Sequence, residues 1–267
     1  MDLQLTGKRA LVTGSNSGIG RAIAISLANE GVQVVVHGRR KKETEEVMQE
    51  ILVHGGQVRM VIGDLTDDDQ AQEVAQLAQA AFGGIDILVA NAGAFPPTPI
   101  LESTAQDWLN LYDQNVGSII RLLRFIVPSM VENGWGRVIT LGSIAASRPF
   151  ASFGAYATTK SACVSLAVTI AKEFAGTGVT SNCISPGDVI TPAAEQHWRT
   201  VAKRNDWADE WEKIESHVAT NISPTLVGRL GRPEEIADLV TFLASPKSNY
   251  INGSNFRIDG GFLASTA

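Results

Sequence analysis

The chain has 267 residues, a net charge of −6, and 44% hydrophobic against 19% charged residues, enough apolar content to offset chain entropy by burial and too much for a disordered segment. Its basic residues are scattered, which excludes the clustered cationic footprint of a nucleic-acid binder, and no apolar run approaches the ~20 residues that span a bilayer. With no basic-then-apolar leader in Met1-Asp2-Leu3-Gln4-Leu5, and with Cys163 and Cys183 reading as buried thiols of a reducing compartment, a cytoplasmic protein without membrane or nucleic-acid partners is expected, folded as a single domain over 1–267.

Short β-branched runs at 9–13, 32–37, 58–62 and 85–90 alternate with segments of helical period at 19–30, 41–54 and 68–82. This βαβαβ order predicts a parallel sheet buried on both faces. The alternation continues with helices at 104–111 and 116–132, a strand at 137–141, a helix at 155–174 and a strand at 179–184. After Pro186-Gly187 it lapses for nearly forty residues, until a helix opened by Pro233 that runs to 243. The fold class expected is α/β, a doubly wound Rossmann-type parallel sheet with helices on both faces. Ligands should then lie at the carboxyl ends of the strands, where strand order reverses. The charged interval 188–228 holds Trp198, Trp207 and Trp211 and reads as a helical lid over the substrate, its rings serving either as substrate anchors or as packing for the lid itself.

The first strand ends in Thr13-Gly14-Ser15-Asn16-Ser17-Gly18-Ile19-Gly20, directly before an apolar helix. Glycines there let the backbone approach a pyrophosphate, and the helix N-terminus favours its charge. The spacing Gly-x-x-x-Gly-x-Gly departs from the usual dinucleotide fingerprint. An NAD-preferring site carries an acid at the end of the second strand; here that place reads His37-Gly38-Arg39-Arg40. Guanidinium groups there suit a 2′-phosphate, so NADP (NADPH) is the expected cofactor and NAD the less favoured one. Arg39 and Arg40 read alternatively as solvated charges opening the next helix.

Tyr156 and Lys160 stand four apart in a helical segment and share one face. An ammonium ~4 Å from a phenol favours phenolate by roughly 4 kcal/mol at an effective dielectric of 20, part of which desolvation returns. Such a pair suits general acid–base work near neutral pH. Ser143 follows the strand at 137–141 at the carboxyl edge, where its hydroxyl can donate to a substrate oxygen. His37, His54, His197 and His217 are dispersed without ligand spacing, so no metal is expected; a surface or core role suits each, with substrate contact only a minority reading for His197 inside the presumed lid. A nucleophilic-serine hydrolase would require a histidine beside Ser143, and none stands out.

Taken together, these motifs resemble the classical short-chain dehydrogenase/reductase family over essentially the whole chain. The resemblance implies that Thr13 to Gly20 form the cofactor loop, with Gly14 to Gly20 binding the cofactor, that Asp64-Leu65 contact adenine, and that Asn91-Ala92-Gly93-Ala94 steady the sheet and line the cofactor. It implies a catalytic tetrad of Asn115, Ser143, Tyr156 and Lys160. Tyr156 would exchange the proton, Ser143 would orient the substrate oxygen, Lys160 would hold the ribose and ease deprotonation of the tyrosine, and Asn115 would position a water linking Lys160 to solvent. In Pro186-Gly187-Asp188-Val189-Ile190-Thr191, Ile190 by backbone and Thr191 by hydroxyl would hold the nicotinamide carboxamide.

The ending Ile258-Asp259-Gly260-Gly261 resembles the close of the family's last strand, where many relatives pair subunits. A homotetramer is implied, with the helices at 116–132 and 155–174 supplying the larger interface. Arg229 to Ile236 again follow the family pattern, whereas 192–226 is longer and more charged than in compact relatives, which leaves the substrate open. The activity implied is hydride transfer between NADP(H) and a carbonyl or secondary alcohol, as in 3-oxoacyl reductases or small-ketone reductases. The alternatives are a nucleotide-binding scaffold or redox sensor without turnover, and a dehydratase or epimerase using the same site.

Overall fold

The computed structural model describes residues 1–263; the last four residues of the expected 1–267 unit lie outside the described residues. Seven strands form one parallel sheet: β1 (Arg9–Val12), β2 (Gln33–Gly38), β3 (Val58–Ile62), β4 (Ile87–Ala90), β5 (Gly136–Leu141), β6 (Val179–Pro186) and β7 (Asn255–Ile258), in the order β3-β2-β1-β4-β5-β6-β7. Chain order reverses between β1 and β4, which makes the crevice above their carboxyl ends the topological switch point.

Strand sequence decides the layering. Ala10 and Val12, Val34 and Val36, Ile87 and Val89, and Ile139 and Leu141 face one apolar layer. Leu11, Val35, Leu88 and Val138 face the other. Period-two alternation with apolar residues on both sides is what a doubly covered sheet requires. A fully buried side chain such as Leu88 stabilises by about 1.5–3 kcal/mol relative to exposure.

The first layer is closed by α1 (Gly18–Asn29), α2 (Lys41–Val53) and α9 (Pro233–Ala244), with Ile23 and Leu27 packed with Ile236, Val240 and Leu243. The second is closed by α3 (Asp68–Phe82), α5 (Ser118–Glu132) and α6 (Gly154–Glu173). Local chemistry sets the ends of α3: the Asp67 carboxylate accepts from Gln70 N–H at 2.9 Å, and Gly83 closes the helix at φ 77°.

Two boundaries differ from those expected. The helix α4 (Ala105–Tyr112) runs into α5 without a break through a π turn at Asp113–Gly117, whose end residues Asp113 and Gly117 both hold helical backbone angles. The interval after β6 contains α7 (Pro192–Arg204), α8 (Trp211–His217) and a second π turn at Val218–Ile222. Among the described residues no helix is long and apolar enough to cross a membrane.

Candidate active site

Thr13 carries β1 to the switch point and joins the loops on either side of it. Its buried hydroxyl accepts from the N–H groups of Asn91 and Ala92, each at 3.0 Å, and its own N–H donates to Val89 O at 3.0 Å. The Asn91 amide returns the contact, donating to Thr13 O at 2.9 Å and Gly14 O at 3.1 Å. This crowding changes the reading of the glycines. A Cβ on Gly14 would lie 2.9 Å from Ala92 Cα, and one on Gly20 would lie 2.4 Å from Gly14 O and from Asn91 Nδ2. Those two positions make room for protein rather than ligand, and Gly14 also needs its φ of 62°.

Beyond them, among the described residues, the N–H groups of Asn16, Ser17, Gly18, Ile19 and Gly20 have no protein acceptor. Ser17 caps α1 without using its hydroxyl, and no acid occupies the first turn. Five open donors at a helix N-terminus fit a phosphate group.

At the end of β2 the sequence places no carboxylate, and the structure gives the reason a side chain is disfavoured at Gly38. A Cβ there would come within 2.6 Å of Thr44 Oγ1 and 3.0 Å of the Asn16 side chain. Arg39 and Asp64, expected separately, meet at 3.5 Å. The Thr66 backbone N–H holds the Asp64 carboxyl below its usual range despite partial burial, helped by the Thr66 hydroxyl and by Arg39. Arg39 is mostly exposed at the carboxyl end of β2. Arg40, the N-cap residue of α2, pairs with Glu43 at 3.1 Å, and Leu65 is buried in the second apolar layer.

The catalytic candidates converge on Lys160. Its buried ammonium donates to Leu141 O, the last carbonyl of β5, at 2.7 Å and lies 5.6 Å from the centre of the Tyr156 ring. Gly93 sits beside it: a Cβ there would be 2.9 Å from Asn115 Oδ1 and 3.8 Å from Lys160 Nζ. Asn115, in the π turn, accepts from Ala94 N–H at 2.8 Å and donates to Ala94 O and Thr159 Oγ1, each at 2.9 Å. Both its amide protons are therefore engaged, and only acceptor capacity remains for a water. Ser143, two residues past Leu141, accepts from Ala145 N–H at 3.1 Å, so its own proton is free to donate outward. Tyr156 is half-buried, with Phe95 edge-on at 6.3 Å.

A family model described as "Enoyl-(Acyl carrier protein) reductase" matches residues 14–263. The chain is 36% identical over 267 residues to the uncharacterized oxidoreductase YvaG of Bacillus subtilis, covering 99% of each. The chain is a classical short-chain dehydrogenase/reductase. It is 30% identical to the 3-oxoacyl-[acyl-carrier-protein] reductase FabG of Thermotoga maritima, with 98% of this chain and 100% of the relative covered. Among solved structures, L-sorbose reductase from Gluconobacter frateurii, complexed with NADPH and L-sorbose, superposes with a TM-score of 0.94 at 33% identity, over 99% of this chain and 100% of that one. Members of this oxidoreductase family act on CH–OH and C=O groups.

In this short-chain dehydrogenase/reductase the segment after β6 is tied down on both sides. Gly187 N–H donates to Ile258 O at 2.9 Å, and a Cβ on Gly187 would press on Asp259 at 2.9 Å. The Ile190 N–H is given to Gly231 O at 2.9 Å, which leaves the carbonyl as its open backbone group. The Thr191 hydroxyl accepts from Ala194 N–H at 3.1 Å as the cap of α7, while its methyl would meet a Cβ on Gly18 at 3.2 Å. The segment and the glycine-rich loop thus face each other.

The three tryptophans Trp198, Trp207 and Trp211 pack with Ile190 around Ala202, Ile214, Val218, Ala219 and Leu230, and so hold the interval together. Among the described residues no group of three or more His, Cys, Asp or Glu side chains could hold a metal. Sequence reasoning missed His37 and Thr159 as parts of the site. For His37 the available signal was a histidine inside an otherwise apolar strand run, directly opposite the phosphate-binding loop.

Proposed function

We propose that the protein is an NADP(H)-dependent reductase of small ketones or 3-oxoacyl-type carbonyls, working in reverse on secondary alcohols. The observation that carries this reading is the convergence on Lys160. One ammonium is anchored on the end of β5, one helical turn from Tyr156, beside Gly93 and Asn115, at the same sheet edge as five open N–H donors. The cofactor supplies the hydride when bound. The pyrophosphate would lie on Asn16 to Gly20, the adenine near Asp64, and the 2′-phosphate on Arg39, with Gly38 keeping a carboxylate away. The Ile190 carbonyl and Thr191 hydroxyl would hold the carboxamide, and Ala92 and Gly93 would line the ribose side.

Tyr156 Oη would give its proton to the substrate oxygen, and Ser143 Oγ would orient that oxygen by donating to it. Lys160 would bind the ribose hydroxyls and favour the tyrosinate that remains. Asn115, its amide protons committed to Ala94 and Thr159, would offer an acceptor to the water that restores the proton. NADP is supported further by L-sorbose reductase with NADPH and by a putative gluconate 5-dehydrogenase with bound NADP, 33% identical at a TM-score of 0.86.

Residues 1–267 would act as one oxidoreductase unit with 188–228 as the lid. A cytoplasmic homotetramer fits the composition of α6, whose exposed positions Thr158, Ser161, Ser165 and Thr169 are small and allow another helix to approach closely. The test is a titration with NADPH and NADH, followed by loss of nicotinamide fluorescence on adding a panel of ketones, ketoses and aldehydes. NADPH should bind at least about tenfold more tightly, about 1.4 kcal/mol, and be oxidised by members of the panel. Equal binding of NADH would overturn the cofactor reading, and binding of neither would overturn the function.

A further inference from the structure

We propose that His37 is a positioning residue for the nucleotide: its ring and backbone hold the first two amides of the phosphate-binding loop inward, so that the next five face the ligand. This rests on the nucleotide reading of that loop. Gly14 N–H donates to His37 Nδ1 at 3.3 Å, and Ser15 N–H donates to His37 O at 2.9 Å. The clasp is closed from the other side, where His37 N–H donates to Ser15 Oγ at 2.8 Å. Across the ring, Nε2 lies 3.1 Å from Gly63 O, the residue before Asp64.

The network admits one protonation state. Nδ1 must accept and Nε2 must donate, which is the neutral Nε2–H tautomer. Burial pushes the imidazole down to about 4, against the bond to Gly63 and the nearby Asp64 carboxylate and with the help of Arg39, so Nδ1 is free to accept at neutral pH. Asp64 and Arg39 are the charged groups facing the ring.

The consequence is a division of labour along the loop. The amides of Gly14 and Ser15 are spent on β2, and those of Asn16 to Gly20 have no protein acceptor. If Gly14 N–H lost its acceptor, the turn at its φ of 62° would be released at the point where the open amides begin. The same ring joins the loop to Gly63, so the pyrophosphate and adenosine ends of the crevice share one buried bridge.

The experiment compares His37→Asn with His37→Gln. The Asn oxygen superposes on Nδ1 and keeps an acceptor for Gly14 N–H while losing the bond to Gly63. The Gln amide superposes on Nε2, keeps the bond to Gly63 and leaves Gly14 N–H without a partner. Each variant loses one ring hydrogen bond, so their melting temperatures should fall by similar amounts. NADPH affinity, read by fluorescence titration, should stay within twofold of wild type in His37→Asn and weaken about five- to tenfold in His37→Gln.

Equal affinities in the two variants, or affinity that merely follows the melting temperature, would overturn the assignment. If His37→Gln does not fold, His37→Asn decides alone: retained affinity supports the assignment, and a tenfold loss overturns it. Wild-type protein that binds neither NADPH nor NADH would sink the nucleotide reading and this inference together, whereas tight wild-type binding with no split between variants sinks only this one.

Discussion

Thr13→Val tests whether the switch point is held by hydrogen bonding or by shape. The substitution keeps the volume of a side chain that is only 1% exposed and removes the oxygen that accepts from Asn91 and Ala92 at 3.0 Å each. The two amides are not affected equally. Asn91 N–H retains Val89 O at 3.1 Å, whereas Ala92 N–H has no other acceptor. One orphaned and partly buried amide costs about 1–3 kcal/mol.

Thr13→Ser provides the control, since it keeps the acceptor and loses a methyl group worth about 0.8 kcal/mol. Urea unfolding at one fixed protein concentration, with unchanged slope, should therefore rank wild type above the Ser variant and the Ser variant above the Val variant. A Val variant as stable as the Ser variant would show that apolar contact, not the Thr13 hydroxyl, joins the loops after β1 and β4.

Four further outcomes are expected. Tyr156→Phe should lower turnover about 10²- to 10⁴-fold, the usual worth of a positioned acid–base group, with NADPH affinity within twofold by titration; loss of binding as well would point to a structural defect. Arg39→Asp puts a second carboxylate beside Asp64 and should shift the NADPH-to-NADH affinity ratio at least about tenfold toward NADH; an unmoved ratio would remove the 2′-phosphate from Arg39. The buried His37 falls from 6.5 to about 4 on folding, so the unfolded chain binds the proton more readily. Stability from this group is full above pH 6.5 and drains as pH falls toward 4, by about 3 kcal/mol at ~1.36 kcal/mol per unit. The stability gap between wild type and His37→Asn should narrow over that window, and a constant gap would contradict the assignment. Finally, Arg232 donates to the mostly buried Glu215 at 2.7 Å. Arg232→Met should loosen α8 by about 1–2 kcal/mol, read as faster amide exchange over 211–217, and unchanged protection there would refute that role.

The sheet was legible because strands covered on both faces announce themselves: Val34-Val35-Val36 and Ile87-Leu88-Val89 have no polar face to confuse with a helix. The junction of α4 with α5 was not, since a π turn follows from how Asn115 and its neighbours bond rather than from composition. Tyr156, Lys160 and Ser143 were suggested as candidates by spacing against the strand ends, but spacing alone fits chance equally, and their roles, like that of Asn115, came from the resemblance. The glycines at 14 and 20 were read as space for a ligand, but the atoms that need the space belong to Gly14 itself and to Asn91 and Ala92, and the latter two lie more than 70 residues away, where no local pattern reaches. His37 escaped for a similar reason: an isolated histidine in a strand looks like filler until its ring is seen against Gly14 and Gly63.

The cluster around Ile214, Val218 and Leu230, with its three tryptophans, gives α7 and α8 an apolar centre of their own, and an isolated bridge between Val189 and Gly231 ties the two ends of the interval to each other. A segment built this way behaves as an exchangeable cartridge. In the proposed lid role, substitutions inside it would remodel what the crevice admits while the strands keep their register. Transplanting 188–228 between relatives should carry selectivity with it, and the same independence would let the cartridge unfold and refold locally without melting the sheet.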